Sequence, residues 1–270
     1  MIPWLARAER RWITLGLMLS HRIRAVSEIL APHVEHLWVV RGYLAARWRN
    51  MILPDGAMEL IVNLGDPQKL CAQDSPAKHT IFRHSWISGE RTTPIVIDEI
   101  GYVHLVGVRQ RAGGAWPFLG IPLREFTDQV VELETIMGRE IEDLRDALCE
   151  AWDDDSRFDL LKSWLVRRAR SRTQPTRSVS YALRVIQGGL DAMRIGRIAD
   201  TIGISHKHLL REFDRCGFES CFISERQVRD SRDYFREIHH PSEIRPYEIS
   251  WALLPRQRRV RLLERRHQQH

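Results

Sequence analysis

The stretch "RIADTIGISHKHLLREFDRCG", from Arg197 to Gly217, constrains the fold more than any other part of the chain. Ile198, Ile202 and Ile204 are apolar, Ala199 is small, and Gly203 lies four residues beyond that alanine. Leu209 and Phe213 then recur at helical spacing. A helix-turn-helix needs this set of residue types. A small residue lets the second helix pack close to the first, and glycine takes the positive φ of the turn. Ser205 is placed to cap the second helix through its hydroxyl. The spacing predicts that this helix starts at His206 and exposes His206, Lys207, Leu210 and Arg211, where a recognition helix meets base edges and phosphates. A helical hairpin in an enzyme can share the spacing, so both readings stay open at this point.

Upstream, the pattern from His36 to Val108 is one of short strands and turns. "HLWVVRGYL" and "MELIVNLGD" are β-rich runs, and "LPDG" and "GDP" are turn signals. "TPIVIDEIG" and "YVHLVGVRQ" read as two further strands separated at Gly101. Such runs predict a small barrel or sandwich. Helices are expected after Pro122, where Phe126, Val130, Leu133, Met137, Ile141, Leu144 and Leu148 form one apolar stripe. Phe158, Leu161, Trp164 and Leu165 continue it. "RRARSRTQPTRS" (167–178) is polar and basic with Pro175, as a linker would be. "VSYALRVIQGG" then predicts a helix stopped by Gly188 and Gly189.

The order of a β-rich module, helical pair, basic linker and helix-turn-helix resembles the AraC family of transcription regulators. Its sensor-side strings are "LAPHVEHLWVV", "ILPDGAMELIVNLGD" and "LVGVRQRAGGAWPFLGIP"; those on the other side are "ALRVIQGG" and the opening stretch. The resemblance spans about residues 27–217. It implies an α+β protein: an N-terminal β-barrel-like sensor domain with a helical pair, then an all-α helix-turn-helix domain. It also implies double-stranded DNA as partner, with a recognition helix in the major groove. Carried over by position, Lys207, Leu210 and Arg211 meet bases, Ser205 and Arg215 face phosphates, and His206 opens the helix. Arg211 could donate two hydrogen bonds to a guanine. Arg194 and Arg197, read as lying ahead of the first helix, are expected as backbone clamps. A small-molecule effector and self-association as a homodimer are alternative means of control. Glu59, Asn63 and Arg109 are candidate effector contacts, and a buried salt bridge explains them as well.

The resemblance stops after Gly217. The family continues with a second helix-turn-helix unit, but residues 218–270 contain no glycine and end in "RQRRVRLLERRHQQH". An altered reading frame or divergence into a basic tail would each produce this. The expected plan is therefore an N-terminal extension (1–26, disordered or helical), a sensor-like domain (27–166), a linker (167–178), a helix-turn-helix unit (179–217) and a divergent tail (218–270). The net charge is +6, and residues 256–270 hold six arginines against one glutamate, so bulk charge says little about the rest. The excess of arginine over four lysines reads as coding bias. Cys71, Cys149, Cys216 and Cys221 read as free thiols, with no second close pair to complete a zinc site. The histidines form no set with metal-ligand spacing on the strands, "RAGGAW" reads as a turn, and Asp153–Asp155 as a loop or helix start. The apolar run Trp12–Leu19 is too short to span a membrane and lacks a cleavage motif. The expectation is a cytoplasmic DNA-binding protein with no cofactor, no metal, no membrane partner and no enzymatic activity. The rivals are a variant impaired in DNA binding that acts through its sensor domain, and a barrel-fold small-molecule-binding protein or enzyme.

Overall fold

The computed structural model describes residues 8–14, 17–52, 57–71, 79–111, 113–171, 176–187 and 195–216. Among the described residues, nine antiparallel strands form one sheet: β1 (Ala8–Thr14), β2 (Leu17–Arg24), β3 (Val34–Ile52), β4 (Glu59–Asn63), β5 (Gln68–Cys71), β6 (His79–Phe82), β7 (Ser85–Ser88), β8 (Ile95–Gln110) and β9 (Val130–Glu132). The main order is β1-β2-β3-β8-β4-β7-β9, with β5 and β6 branching from β8. The path of hydrogen-bonded strands ends at β1 and β9. The barrel-like expectation is therefore corrected to an open sheet among the described residues.

Period-two alternation sorts the strand residues onto two buried faces. Leu37, Val39, Leu60, Val62, Ile87, Val106 and Val108 join the core shared with the helices. Their neighbours Trp38, Ile61 and Trp86 form a second cluster with Phe82, and Val40, Leu70 and Leu105 pack against it. Burial on both faces explains why "LWVV" and "LIV" read as continuous apolar runs.

The two strands expected on either side of Gly101 are one strand, β8. Gly101 (φ +87°) bends it without ending it. Asp66 fixes the bend: its Oδ2 accepts from the Tyr102 N–H at 2.7 Å, and its own N–H donates to the Tyr102 carbonyl at 2.7 Å. A Cβ at Gly101 would lie 2.3 Å from that Oδ2.

Residues 8–14 and 17–24 correct the expected disordered or helical extension. They form a hairpin on the sheet, with Leu17 opposite Leu44 and Arg24 opposite Leu37. The expected helical stripe is also interrupted, because Val130–Glu132 pairs with β7 as a strand. Helices α1 (Trp116–Leu119), α2 (Glu134–Met137), α3 (Arg139–Glu150) and α4 (Asp154–Ser171) flank or follow it. Phe126, Leu133, Met137, Ile141, Leu144 and Leu148 are buried as expected. Asp153 starts α4 by accepting from the Ser156 N–H at 2.7 Å. Helix α4 runs through the first part of the expected linker because Arg168 is buried there. Its guanidinium donates to the Phe118 carbonyl and to Glu140.

Arginine is more than a compositional bias here. Arg157 is buried and donates to the Leu148 and Ala151 carbonyls at 3.1 and 2.6 Å, satisfying the C-terminal end of α3. It also pairs with Asp154 at 3.2 Å. Arg22 and Arg24 reach from β2 to Asp155, Arg24 also meets Asp159 at 3.0 Å, and both guanidiniums lie over the Phe158 ring. Phe158 is 1% exposed, so this contact holds α4 against the sheet. No described helix is long and apolar enough to cross a membrane.

Phe158→Ala should destabilise the chain by about 3–5 kcal/mol in urea unfolding, the usual cost of emptying a buried aromatic site. A second expectation concerns pH. Burial, with the charges of Arg157 and Arg41 outweighing Asp154, holds His104 down to about 4 against an ordinary value of 6.5. The unfolded chain then binds the proton more readily. Stability from neutral His104 is full above about pH 6.5 and is lost as pH falls towards 4; His104→Gln should flatten this part of the profile.

Candidate functional site

Three helices carry the C-terminal site: α5 (Arg177–Gln187), α6 (Ile195–Ile202) and α7 (His206–Cys216). Ile198, Ala199, Leu209 and Phe213 are buried together with Val179 and Ala182 of α5. Gly203 has φ +77° and ends α6 as the spacing predicts. The Gly203 N–H donates to the Asp200 carbonyl at 3.2 Å, and the Ile204 N–H reaches back to Ala199 at 3.1 Å. These two bonds form a Schellman motif, which satisfies the last carbonyls of α6 and turns the chain sharply. Ser205 then starts α7, its hydroxyl accepting from the His208 N–H at 3.1 Å.

The burial of Leu209 and Phe213 turns the opposite side of α7 outward. His206, Lys207, His208, Leu210 and Arg211 are all exposed. Lys207, Leu210 and Arg211 follow the i, i+3, i+4 pattern of a single helix face. The structure thus brings these three predicted residues together at the start of α7. The Ser205 hydroxyl is engaged as the helix cap. Arg197 is exposed in the first turn of α6 rather than ahead of it, because α6 begins at Ile195. Arg194, the side chain of Arg215, the predicted Gly188–Gly189 stop, Cys221 and the tail 218–270 lie outside the described residues.

A second candidate site lies within the sheet, lined by residues of β3, β4, β5, β6, β7, β8 and β9. The cavity is open to solvent, and about 590 Å³ of non-atom space lies in and before its mouth. Ile61, Leu70, Trp86, Ile97 and Val130 line it, and five polar side chains interrupt them: Glu59, Gln68, Ser88, Arg91 and Arg109. Of the sequence candidates, Glu59 and Arg109 meet here. Arg109 donates to Glu59 at 3.0 Å and to Glu35 at 3.1 Å. Burial raises the Glu35 pKa, but its bond with His36 and the charge of Arg109 outweigh this and bring it to about 2. Asn63 serves the fold instead. Its amide donates to the Asp66 and Arg83 carbonyls, its oxygen accepts from the Gly65 N–H, and it does not line the cavity.

Arg91 and Gln68 were not legible as site residues. Arg91 lies in the loop after β7, where no periodicity marks it. The turn at 126–129 fixes its place. Gly89 donates to the Gln129 carbonyl at 3.0 Å, and a Cβ at Gly89 would collide with the Phe126 carbonyl. Asp128, held at φ +57°, accepts from the Thr92 N–H and hydroxyl at 2.7 and 2.5 Å. Arg91 donates to the Asp128 and Gln129 carbonyls at 3.0 and 3.2 Å, and its Nε is buried without a partner. Burial lowers its pKa, and the charge of Asp128 acts in the opposite direction.

Residues 24–132 match a family described only as a domain of unknown function, DUF6597. No curated protein matches the chain. Among solved structures, the AraC-like transcriptional activator CuxR is 12% identical, with 83% of this chain and 85% of that chain covered and a TM-score of 0.35. ToxT from Vibrio cholerae is 9% identical over 80% of this chain and 88% of its own, also at 0.35. A protein of unknown function from Vibrio parahaemolyticus, VPA0057, is 8% identical over 38% of this chain and 97% of its own, at 0.28.

The turn between α6 and α7 is open to direct measurement. Ser205→Ala should cost about 1 kcal/mol through loss of the cap. Gly203→Ala should cost about 1–2 kcal/mol, because a Cβ is disfavoured at positive φ although nothing crowds it there. Hydrogen exchange of the α7 amides, faster in both variants, locates the loss.

Proposed function

We propose that this chain is a transcription regulator of the AraC type. In this reading α7 enters the major groove of double-stranded DNA, and the sheet carries an effector site. The observation that supports it most is the outward face of α7. A Schellman turn and a serine cap set the helix, and Lys207, Leu210 and Arg211 stand exposed at its start. Arg211 supplies a planar fork able to bond two acceptors on a guanine edge. Leu210 offers apolar contact to a thymine methyl, and Lys207 supplies charge for a phosphate. In this reading Arg197, exposed on α6, contacts the DNA backbone.

Fluorescence anisotropy with a pool of duplexes, followed by selection and repetition across salt concentrations, tests this reading. Arg211→Ala should weaken binding to the selected sequence by about 1–3 kcal/mol and relax discrimination at one base pair. Lys207→Ala should weaken binding evenly across sequences and reduce the salt slope by about 1. Unchanged affinity in the double variant would remove α7 as the reading helix.

A further inference from the structure

We propose that the cavity in the sheet binds an uncharged molecule with an apolar body and a carboxamide, or another group that pairs a hydrogen-bond acceptor with a donor. This deepens the effector reading and rests on it, but it does not depend on DNA binding.

The charges argue against an ionic anchor. Every charged side chain in the lining already has an opposite charge beside it. Arg109 bridges Glu59 and Glu35, at 3.0 and 3.1 Å. Arg91 has the charge of Asp128 acting on it. An ionised group entering from water would lose its hydration and find no unanswered charge to replace it. A neutral polar group loses far less on the same transfer.

Hydrogen bonding calls for a polar group all the same. Arg91, 7% exposed, commits its terminal nitrogens to the Asp128 and Gln129 carbonyls, and its Nε–H is left without an acceptor. Gln68 on β5 is 4% exposed, and its Oε1 is left without a donor. Both side chains line the cavity. Buried polar groups are nearly all paired in native proteins, so two unpaired ones in a single lining point to an occupant. A carboxamide carries the missing acceptor and the missing donor without a charge. The walls give the rest of the molecule. Ile61, Leu70, Phe82, Trp86, Ile97 and Val130 present aliphatic and aromatic carbon, with Phe82 and Trp86 tilted against each other at 5.6 Å between ring centres. Such walls favour an apolar body. Because the mouth is open to solvent, the cavity fixes the chemistry of the end that enters and not the length of the molecule.

Calorimetry on the full chain at neutral pH with phenylacetamide, phenylacetate and 2-phenylethylammonium is the test, because the three share one body and differ in charge. Phenylacetamide should bind about tenfold or more tighter than either ion, the direction set by desolvation. Gln68→Leu should weaken phenylacetamide about three- to tenfold, the range for one lost hydrogen bond. Val130→Trp, which fills the cavity, should abolish binding. The comparison of the three probes on the unaltered chain decides the class even if a variant fails to fold. Equal or tighter binding of an ion, lost in Val130→Trp, would overturn the uncharged class and keep the effector site. Undiminished affinity for phenylacetamide in Gln68→Leu would overturn the carboxamide. No binding of any probe at millimolar concentration, or binding that survives Val130→Trp in a folded chain, would overturn the proposal. Duplex binding measured on the same preparation separates it from the DNA reading.

Discussion

Strand β8 bonds to β3 along its length, to β5 through residues 96–98 and to β4 through residues 105–109. One strand thus serves two parts of the sheet, and the bend at Gly101 lets it do so. The geometry of the second site follows from that bend. Trp38, Ile61, Phe82 and Trp86 bury one another instead of facing water. Gly107 adds to this closeness: the Trp38 ring occupies the space where its Cβ would stand.

The buried arginines divide by what answers their charge. Arg157 and Arg168 each combine a main-chain carbonyl with a carboxylate, which ties α3, α4 and α1 into one helical layer. Their planar forks suit this double duty, for which a lysine ammonium is less fitted. Arg109 does the same work between two glutamates inside the sheet. Arg91 differs, having carbonyls but no carboxylate in hydrogen-bond contact.

The two candidate sites differ in how each is built. The C-terminal site is local: nine residues from Ala199 to Lys207 contain the turn, the cap and the start of the exposed face. The cavity is assembled from the seven strands β3 to β9 and from two loops, with Gln68 and Arg109 brought to one space across 41 positions of sequence. The first responds to the chemistry of individual residues, the second to how the sheet folds over.

Sequence alone determined what depends on near neighbours. The alanine–glycine spacing, the Ser205 cap, the start of α7 at His206 and its buried Leu209–Phe213 side are set by backbone conformation and helical period. The apolar residues from Leu133 to Leu148 were legible for the same reason, as were the stretches that became β3, β4 and β8. Tertiary structure decided what depends on partners distant in the chain. Val130–Glu132 lies in an apolar stripe of helical spacing yet becomes a strand, because β7 offers an edge to pair with. Residues 8–14 and 17–24 carry no strong signal for strands; Leu17–Arg24 pairs with the edge of β3, and Ala8–Thr14 pairs with Leu17–Arg24 in turn. Asn63 and Arg109 looked alike as buried polar candidates. Only the fold turned one into the keystone of a turn and the other into an ion pair on a cavity, because hydrogen-bond partners are assigned in space and the sequence does not list them.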